Sequence, residues 1–322
     1  MIIALSIVLA AVPLLFCYAA RAFLGRDRLQ PVWVFPMLFL AGAGGGVLFG
    51  AVLSPNLAVW FTGLFELGDA RLVNAAVVVP LAEEIGKGLV LLVFLSTRWY
   101  RSPVDGLLYG LAAGAGFAMV ENVLSFLAAY EFGGGEGWAN TVLIRLPAAL
   151  LVHGGGTAIL GLYLGAARWA QTRLVVFGAL PAALFFAGAI HGGWNLLVEL
   201  GGARGGQAYF IAAGCLLMVV TGVLATALAI SLRVEASDLR AELRGEVTAG
   251  YVDAEAVHEL TLHRTVRRRG RSERDRELEA SEGALVSLAF ALRRLRVEGR
   301  GAEDVERLRR HLRGLRDQGA NI

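Results

Sequence analysis

The sequence predicts an all-α, polytopic membrane protein with about seven transmembrane helices and a small cytoplasmic helical tail. Three observations carry this. Hydrophobic residues make up 56% of the 322-residue chain and charged residues 18%, with a mean hydropathy of +0.60, too apolar for a soluble globular domain. Apolar stretches of roughly 20 residues, the length that crosses the hydrocarbon core of a bilayer, recur along the first two thirds of the chain. Charge is segregated: residues 1–232 hold 11 Lys and Arg and 10 Asp and Glu, whereas 233–322 hold 19 and 17. The chain therefore divides into a transmembrane domain, 1–232, and a charged tail, 233–322. The tail is dense in both signs and nearly neutral, so the net charge of +3 describes no nucleic-acid surface.

The predicted spans are residues 2–20, 32–53, 72–95, 106–129, 141–167, 174–200 and 208–232. The first has no basic stretch before it and carries Arg21, Arg26 and Arg28 after it, so it reads as a retained span and not as a cleaved signal peptide. Residues 57–67 are apolar but too short to cross, which predicts an interfacial or re-entrant piece. Arg21, Arg26, Arg28, Arg98, Arg101, Arg168 and Arg173 fall in alternate loops on one side, against Arg71 and Arg204 on the other. By the positive-inside rule the N-terminus is outside and the tail is cytoplasmic. Gly106, Gly110, Gly114 and Ala118 recur every fourth residue on the fourth span and predict close helix packing. Cys17 and Cys215 lie in apolar stretches and read as small hydrophobes.

Glu83, Glu84, Lys87 and Glu121 sit inside predicted spans, where each ionised side chain costs on the order of 2.5 to 3.5 kcal/mol, roughly 10 kcal/mol or more for the four. Residues that expensive face a cavity or one another. Lys87, the only lysine of the chain, lies one turn beyond both Glu83 (i, i+4) and Glu84 (i, i+3), so it is placed to pair with either. His153 precedes three glycines, and His191 has Asn195 on the same helix face. At about 1.5 Å per residue, Glu83 lies roughly 17 Å from the outer end of its span, Glu121 about 12 Å, His153 about 18 Å and His191 about 14 Å. Four helices thus present polar groups at one level.

Such a layer suits hydrolysis. Glu121, His153 and His191 are a three-ligand set that leaves a coordination position open for water on a zinc ion, with Glu83 or Glu84 as the base and Asn195 as a donor to a developing oxyanion. The same residues also form a metal-free site in which glutamate and histidine activate water, and the sequence leaves both open. A proton-coupled transporter buries the same residue types at midplane. It differs in needing two alternating access routes where a protease needs one lateral opening. Gly154, Gly155 and Gly156 are expected to loosen the helix after His153, and Pro80 to kink the helix ahead of Glu83.

Five segments carry a resemblance: EEIGK at 83–87, DGLLYG at 105–110, GFAMVEN at 116–122, Arg145 ahead of His153, and HGGWN at 191–195. In order and spacing, over residues 70–200, the chain resembles the PrsW family of bacterial intramembrane proteases, distant relatives of the Ras-converting CAAX endopeptidase and of the abortive-infection membrane proteins. The resemblance implies cleavage of a membrane-anchored regulator, such as an anti-sigma factor, on its extracytoplasmic side in the bacterial cytoplasmic (inner) membrane. It makes Glu83 and Glu84 the essential pair, completed by Glu121, His153 and His191, with Asn195 beside them and Lys87 as a tuning partner. In the CAAX-processing relatives a histidine takes the place of Glu121, and the metal stays open there too. The partners implied are a single-span substrate and the lipid bilayer.

The tail lies outside the resemblance. Helices over 284–296 and 303–315 bring Ala284, Leu285, Leu288, Phe290, Leu292 and Leu295 to face Val305, Leu308, Leu312 and Leu315, a hairpin suited to regulation or to homodimerisation. Arg264, Arg267, Arg268, Arg269 and Arg271 form a basic cluster that fits anionic headgroups or a solvated linker. His258, His263 and His311 read as surface residues.

Overall fold

The computed structural model describes residues 1–24, 30–65, 70–168, 173–263 and 273–317, and among these there is no strand. Eleven helices follow in chain order: α1 Ile2–Phe23, α2 Val34–Phe65, α3 Ala70–Val73, α4 Val79–Leu95, α5 Pro103–Ala149, α6 Gly155–Arg168, α7 Arg173–Arg204, α8 Gln207–Thr248, α9 Ala254–His263, α10 Glu273–Glu298 and α11 Ala302–Asp317. Two π-helical turns, Asn74–Val78 and Leu150–Gly154, join α3 to α4 and α5 to α6. Five helical stretches are long and apolar enough to cross a membrane: Ile2–Phe23, Val34–Trp60, Pro103–Arg168, Leu180–Gly202 and Gln207–Thr248. Their outward faces carry large apolar side chains such as Leu15, Phe16, Leu48, Val59, Met218 and Val219, all exposed, as a lipid-facing surface requires. The protein is a multi-pass membrane protein, helical with no strand among the described residues.

The chain forms two compact units, Met1–Ala20 with Val32–Ala229, and Arg21–Pro31 with Ile230–Ile322. In the first, α5 lies against both α2 and α6 at glycine-set distances. A methyl group added to Gly106, Gly110 or Gly114 would come within 2.1–2.2 Å of the carbonyl oxygens of Gly161, Thr157 and His153. The small-residue stripe thus does what its spacing predicts, letting two backbones touch. Gly42 and Gly116 make the same approach between α2 and α5. The link between α4 and α5 is clamped. Arg168 donates to the carbonyls of Leu95, Thr97 (2.7 Å) and Tyr100 (2.8 Å), closing the C-terminus of α4. The Ser102 hydroxyl accepts from the Asp105 N–H (3.2 Å) and caps α5, with Pro103 in its first turn. Buried Asp105 accepts from the N–H and the Nε of Arg101, both at 3.1 Å, and Tyr100 donates its hydroxyl to Gly161 O at 2.5 Å.

Several sequence expectations are corrected. Residues 57–65 are no separate interfacial piece: α2 runs unbroken through Pro55 to Phe65, because apolar lipid accepts a helix longer than the bilayer core if it tilts; residues 66 and 67 lie outside the described residues. The predicted break between the fourth and fifth spans is a single residue, Gly134, whose φ of 60° only glycine adopts freely. The loosening near His153 does not follow it at the glycines. It contains it, as the π-turn Leu150–Gly154. The last spanning helix does not end at 232 but continues as α8 to Thr248.

In the second unit, Leu239 and Leu243 of α8 join Val252, Val257, Leu285, Leu288, Phe290, Val305 and Leu312 in a buried core. Arg293 with Asp238 (2.7 Å), Arg309 with Glu246 (2.5 Å) and Arg296 with Glu242 ring it with ion pairs. The predicted faces of α10 and α11 do pack together, but α8 and α9 complete their core. Cys17 and Cys215 are free thiols. His258 and His311 are exposed; the side chain of His263 and the basic cluster at Arg264, Arg267, Arg268, Arg269 and Arg271 lie outside the described residues.

Candidate active site

The polar residues of four helices meet inside the first unit. Glu83, Glu84 and Lys87 come from α4, Glu121 and Arg145 from the two limbs of α5, His153 from the second π-turn, Thr157 from α6, and His191 and Asn195 from α7. Glu84 and Lys87 are fully buried, and Glu83, His153 and His191 are buried with them.

Both π-turns adjoin a proline. Pro147 lies in the last turn of α5, and its missing N–H and bulky ring loosen the ladder just before the widened turn that carries His153. At the other turn the bookkeeping is complete. The Val79 N–H reaches back to Asn74 O, so in that wide register the carbonyl of Ala75 would be served by residue 80. Residue 80 is proline and has no N–H. The side-chain amide of Asn195 fills the vacancy, donating from Nδ2 to Ala75 O at 3.1 Å. Asn195 is therefore near His191 as expected, but one of its N–H groups ties α7 to the entry of α4. Gly192, one residue after His191, admits the approach: a methyl there would lie 1.9 Å from Ala76 O.

The side chains form one hydrogen-bonded chain whose proton positions follow from which groups are donors only. Lys87 pairs with Glu84, not Glu83, and its Nζ lies 3.4 Å from His153 Nδ1 and 4.5 Å from the centroid of the Phe117 ring. An ammonium has no lone pair, so His153 Nδ1 accepts and Nε2 carries the proton, which it donates to Glu121 Oε2 at 2.7 Å. Glu121 also meets Arg145 Nη2 at 3.4 Å, and Arg145 Nε lies 3.4 Å from Asn122 Oδ1. Glu84 holds three donors: besides Lys87 it accepts from Thr157 Oγ1 (3.2 Å) and from His191 Nδ1 (3.3 Å). That bond assigns the His191 proton to Nδ1 and turns the Nε2 lone pair outward.

What Nε2 faces is Glu83. Its Oε2 lies 3.6 Å from His191 Nε2, is buried, and has no hydrogen-bond partner among the described residues. Two lone pairs thus converge on one point. The His153 and His191 rings stand edge to face with centroids 4.4 Å apart, which brings the second histidine to the same place.

Glu83, His153 and His191 each offer a ligand atom within 4.8 Å of the others. Two ligands at about 2.0–2.1 Å from a tetrahedral ion are about 3.4 Å apart, close to the Glu83–His191 separation, so the donor set fits a divalent cation. This cluster differs from the expected ligand set in one member. It contains Glu83 where Glu121 is expected, and the Glu121 carboxylate contacts His153 Nε2 and Arg145. That is the place of a group orienting a ligand histidine. Sequence reading missed Thr157, a residue unremarkable in a helix, and the buried contacts of Phe117 and Asn122. Arg145 it noted only as part of a motif.

A family model described as PrsW family intramembrane metalloprotease matches residues 30–228, which include every residue of this site. No curated protein and no solved structure matches the chain.

Proposed function

The chain belongs to the PrsW family of intramembrane metalloproteases, and we propose that it hydrolyses a peptide bond of a membrane-anchored regulatory protein at this site, with Glu83 as the base. The observation that carries the assignment is the pair of open lone pairs at Glu83 Oε2 and His191 Nε2, 3.6 Å apart. A water between them donates both protons inward and turns an oxygen lone pair toward an incoming carbonyl carbon. Glu83 takes one proton as the C–O bond forms and returns it to the amide nitrogen as the C–N bond breaks. Glu84 is engaged by three donors, whereas Glu83 Oε2 is open. Held by Lys87, Thr157 and His191, Glu84 fixes the His191 tautomer and keeps its Nε2 unprotonated. Glu121, held by Arg145, fixes the opposite tautomer of His153, with the proton on Nε2 and the lone pair on Nδ1. Bound at Glu83, His153 and His191, the family's metal would supply Lewis-acid polarisation and an acidified water.

A single-span substrate suits the approach to the site. A cleft of about 480 Å³ lies between α2 and the α3 segment, lined by Ser54, Pro55, Ala58, Ala70, Arg71, Val73, Asn74 and Val78. Gly50, one turn before Ser54, touches Glu83: a methyl there would meet its Cγ at 3.1 Å. Read as a lateral entry toward Glu83, this cleft supports a protease over an alternating-access transporter, the competing use of such residues. The proposal includes seven crossings, with Pro103–Arg168 counted twice about Gly134 and α3–α4 added to the apolar stretches. At about 1.5 Å per residue its 66 residues would extend roughly 100 Å, far beyond one crossing of about 30 Å. It also places the N-terminus outside, the tail in the cytoplasm of a bacterium and the cut nearer the outer face.

The test is co-reconstitution with a single-span substrate of the anti-sigma-factor type in sealed vesicles. Cleavage within or beside the span is the expected result. Proton-coupled solute uptake without cleavage would replace this reading by the transporter. Cleavage that survives removal of metal assigns water activation to Glu83 and His191 alone, whereas loss that zinc restores assigns it to the ion.

A further inference from the structure

The ligand set contains a conflict that concerns this chain's only lysine. Both nitrogens of His153 are engaged, Nε2 by Glu121 at 2.7 Å and Nδ1 by Lys87 at 3.4 Å. Of the two partners, the carboxylate is the kind that orients a metal-bound histidine from behind. The nitrogen a metal must use is therefore Nδ1, and the group in its way is the Lys87 ammonium. The ammonium is also a buried positive charge beside the ligand set, where it repels a divalent ion in a medium of low dielectric.

We propose that Lys87 and a divalent metal ion are alternative occupants of the His153 end of the site, so that Lys87 governs whether this enzyme is loaded with metal. This rests on the reading of Glu83, His153 and His191 as the ligand set. Lys87 has somewhere to remain when it leaves His153. Its pairing with Glu84 and its position over the Phe117 ring are separate contacts on a flexible four-carbon stem. With Lys87 at His153, the site holds its own cation and Glu83 works with His191 on water. With Lys87 withdrawn, His153 Nδ1 joins Glu83 and His191 as a third ligand. Lys87 acts here through His153 and is a positioning residue.

The test uses the full-length protein in detergent micelles, stripped with a chelator and titrated with Co2+, whose visible absorption reports the ligand field without any assay of activity. Lys87→Met is expected to bind Co2+ at least about tenfold more tightly than the wild type, since one nearby positive charge and one competing donor are removed. Lys87→Arg, which keeps a cation, is expected to show no gain. Adding His153→Ala to Lys87→Met is expected to abolish the gain, which separates competition at His153 from a general change in charge. Should Lys87→Met lose its fold because Glu84 is left unpaired, Lys87→Met/Glu84→Gln removes both charges and takes its place in the titration. No gain in the variant that folds, or a gain that survives His153→Ala, overturns the inference. Cleavage is scored separately: a wild type that cleaves without showing this difference overturns the metal–lysine competition alone, and a wild type that does not cleave overturns the protease reading alone.

Discussion

Adjacent glutamates in one helix turn carry opposite burdens. Glu84 accepts from Lys87, Thr157 and His191, whereas Glu83 Oε2 accepts from nothing. Their amide variants separate stability from chemistry. Glu84→Gln leaves a buried ammonium without its counter-charge and is expected to cost about 3–5 kcal/mol in equilibrium unfolding. Glu83→Gln removes no hydrogen bond and is expected to stay within about 1 kcal/mol of the wild type. Equal losses would mean that Glu83 is as deeply tied into the fold as its neighbour. At this scale much of the site is legible in the sequence. Glu83, Glu84, Lys87 and Glu121 stand out because an ionised side chain in an apolar span is costly enough to need a reason. Thr157 gives no such signal, since a threonine bonds within any helix at little cost. The choice of Glu84 over Glu83 as the partner of Lys87 is also hidden, because i, i+3 and i, i+4 are both within reach.

At the scale of the element, the π-turns set the geometry. A hydropathy pattern carries no information on whether a turn holds one residue more, so the sequence places Pro80 and Pro147 without revealing the widened turns beside them. The Asn195 amide satisfies a carbonyl orphaned by Pro80, and this makes a double-substitution cycle informative. Asn195→Ala is expected to cost about 1 kcal/mol by removing the donor to the part-buried Ala75 O. In the Pro80→Ala background, where residue 80 regains an N–H, the same substitution is expected to cost measurably less. Additive effects would show that Asn195 holds something other than that carbonyl. The close helix packing, by contrast, is legible from the spacing of Gly106, Gly110 and Gly114 alone, because only glycine permits a carbonyl within 2.2 Å of where a methyl would sit. The length of α2 is not legible in that way, since a window matched to the bilayer stops counting where the apolar run has already filled it.

At the scale of the whole molecule, the segregation of charge divides the sequence at 232 into an apolar body and a charged tail, while the compact units of the structure are Met1–Ala20 with Val32–Ala229 and Arg21–Pro31 with Ile230–Ile322. What composition does not reveal is that α8 supplies Leu239 and Leu243 to the tail's core, because an unbroken helix leaves no turn signal at the boundary. The tail core is expected to lose about 2–5 kcal/mol in Leu288→Ala, a buried residue far from any site residue in sequence, with cleavage by the membrane body unchanged. Loss of cleavage with the tail core would show that the tail takes part in the reaction. The central claim is that this protein alone cuts a membrane-anchored chain with Glu83 as its base. The most direct measurement is cleavage of a single-span substrate in vesicles containing only that substrate and either wild-type protein or folded Glu83→Gln: cleavage by the first and none by the second is the predicted result, and equal cleavage by both would contradict it.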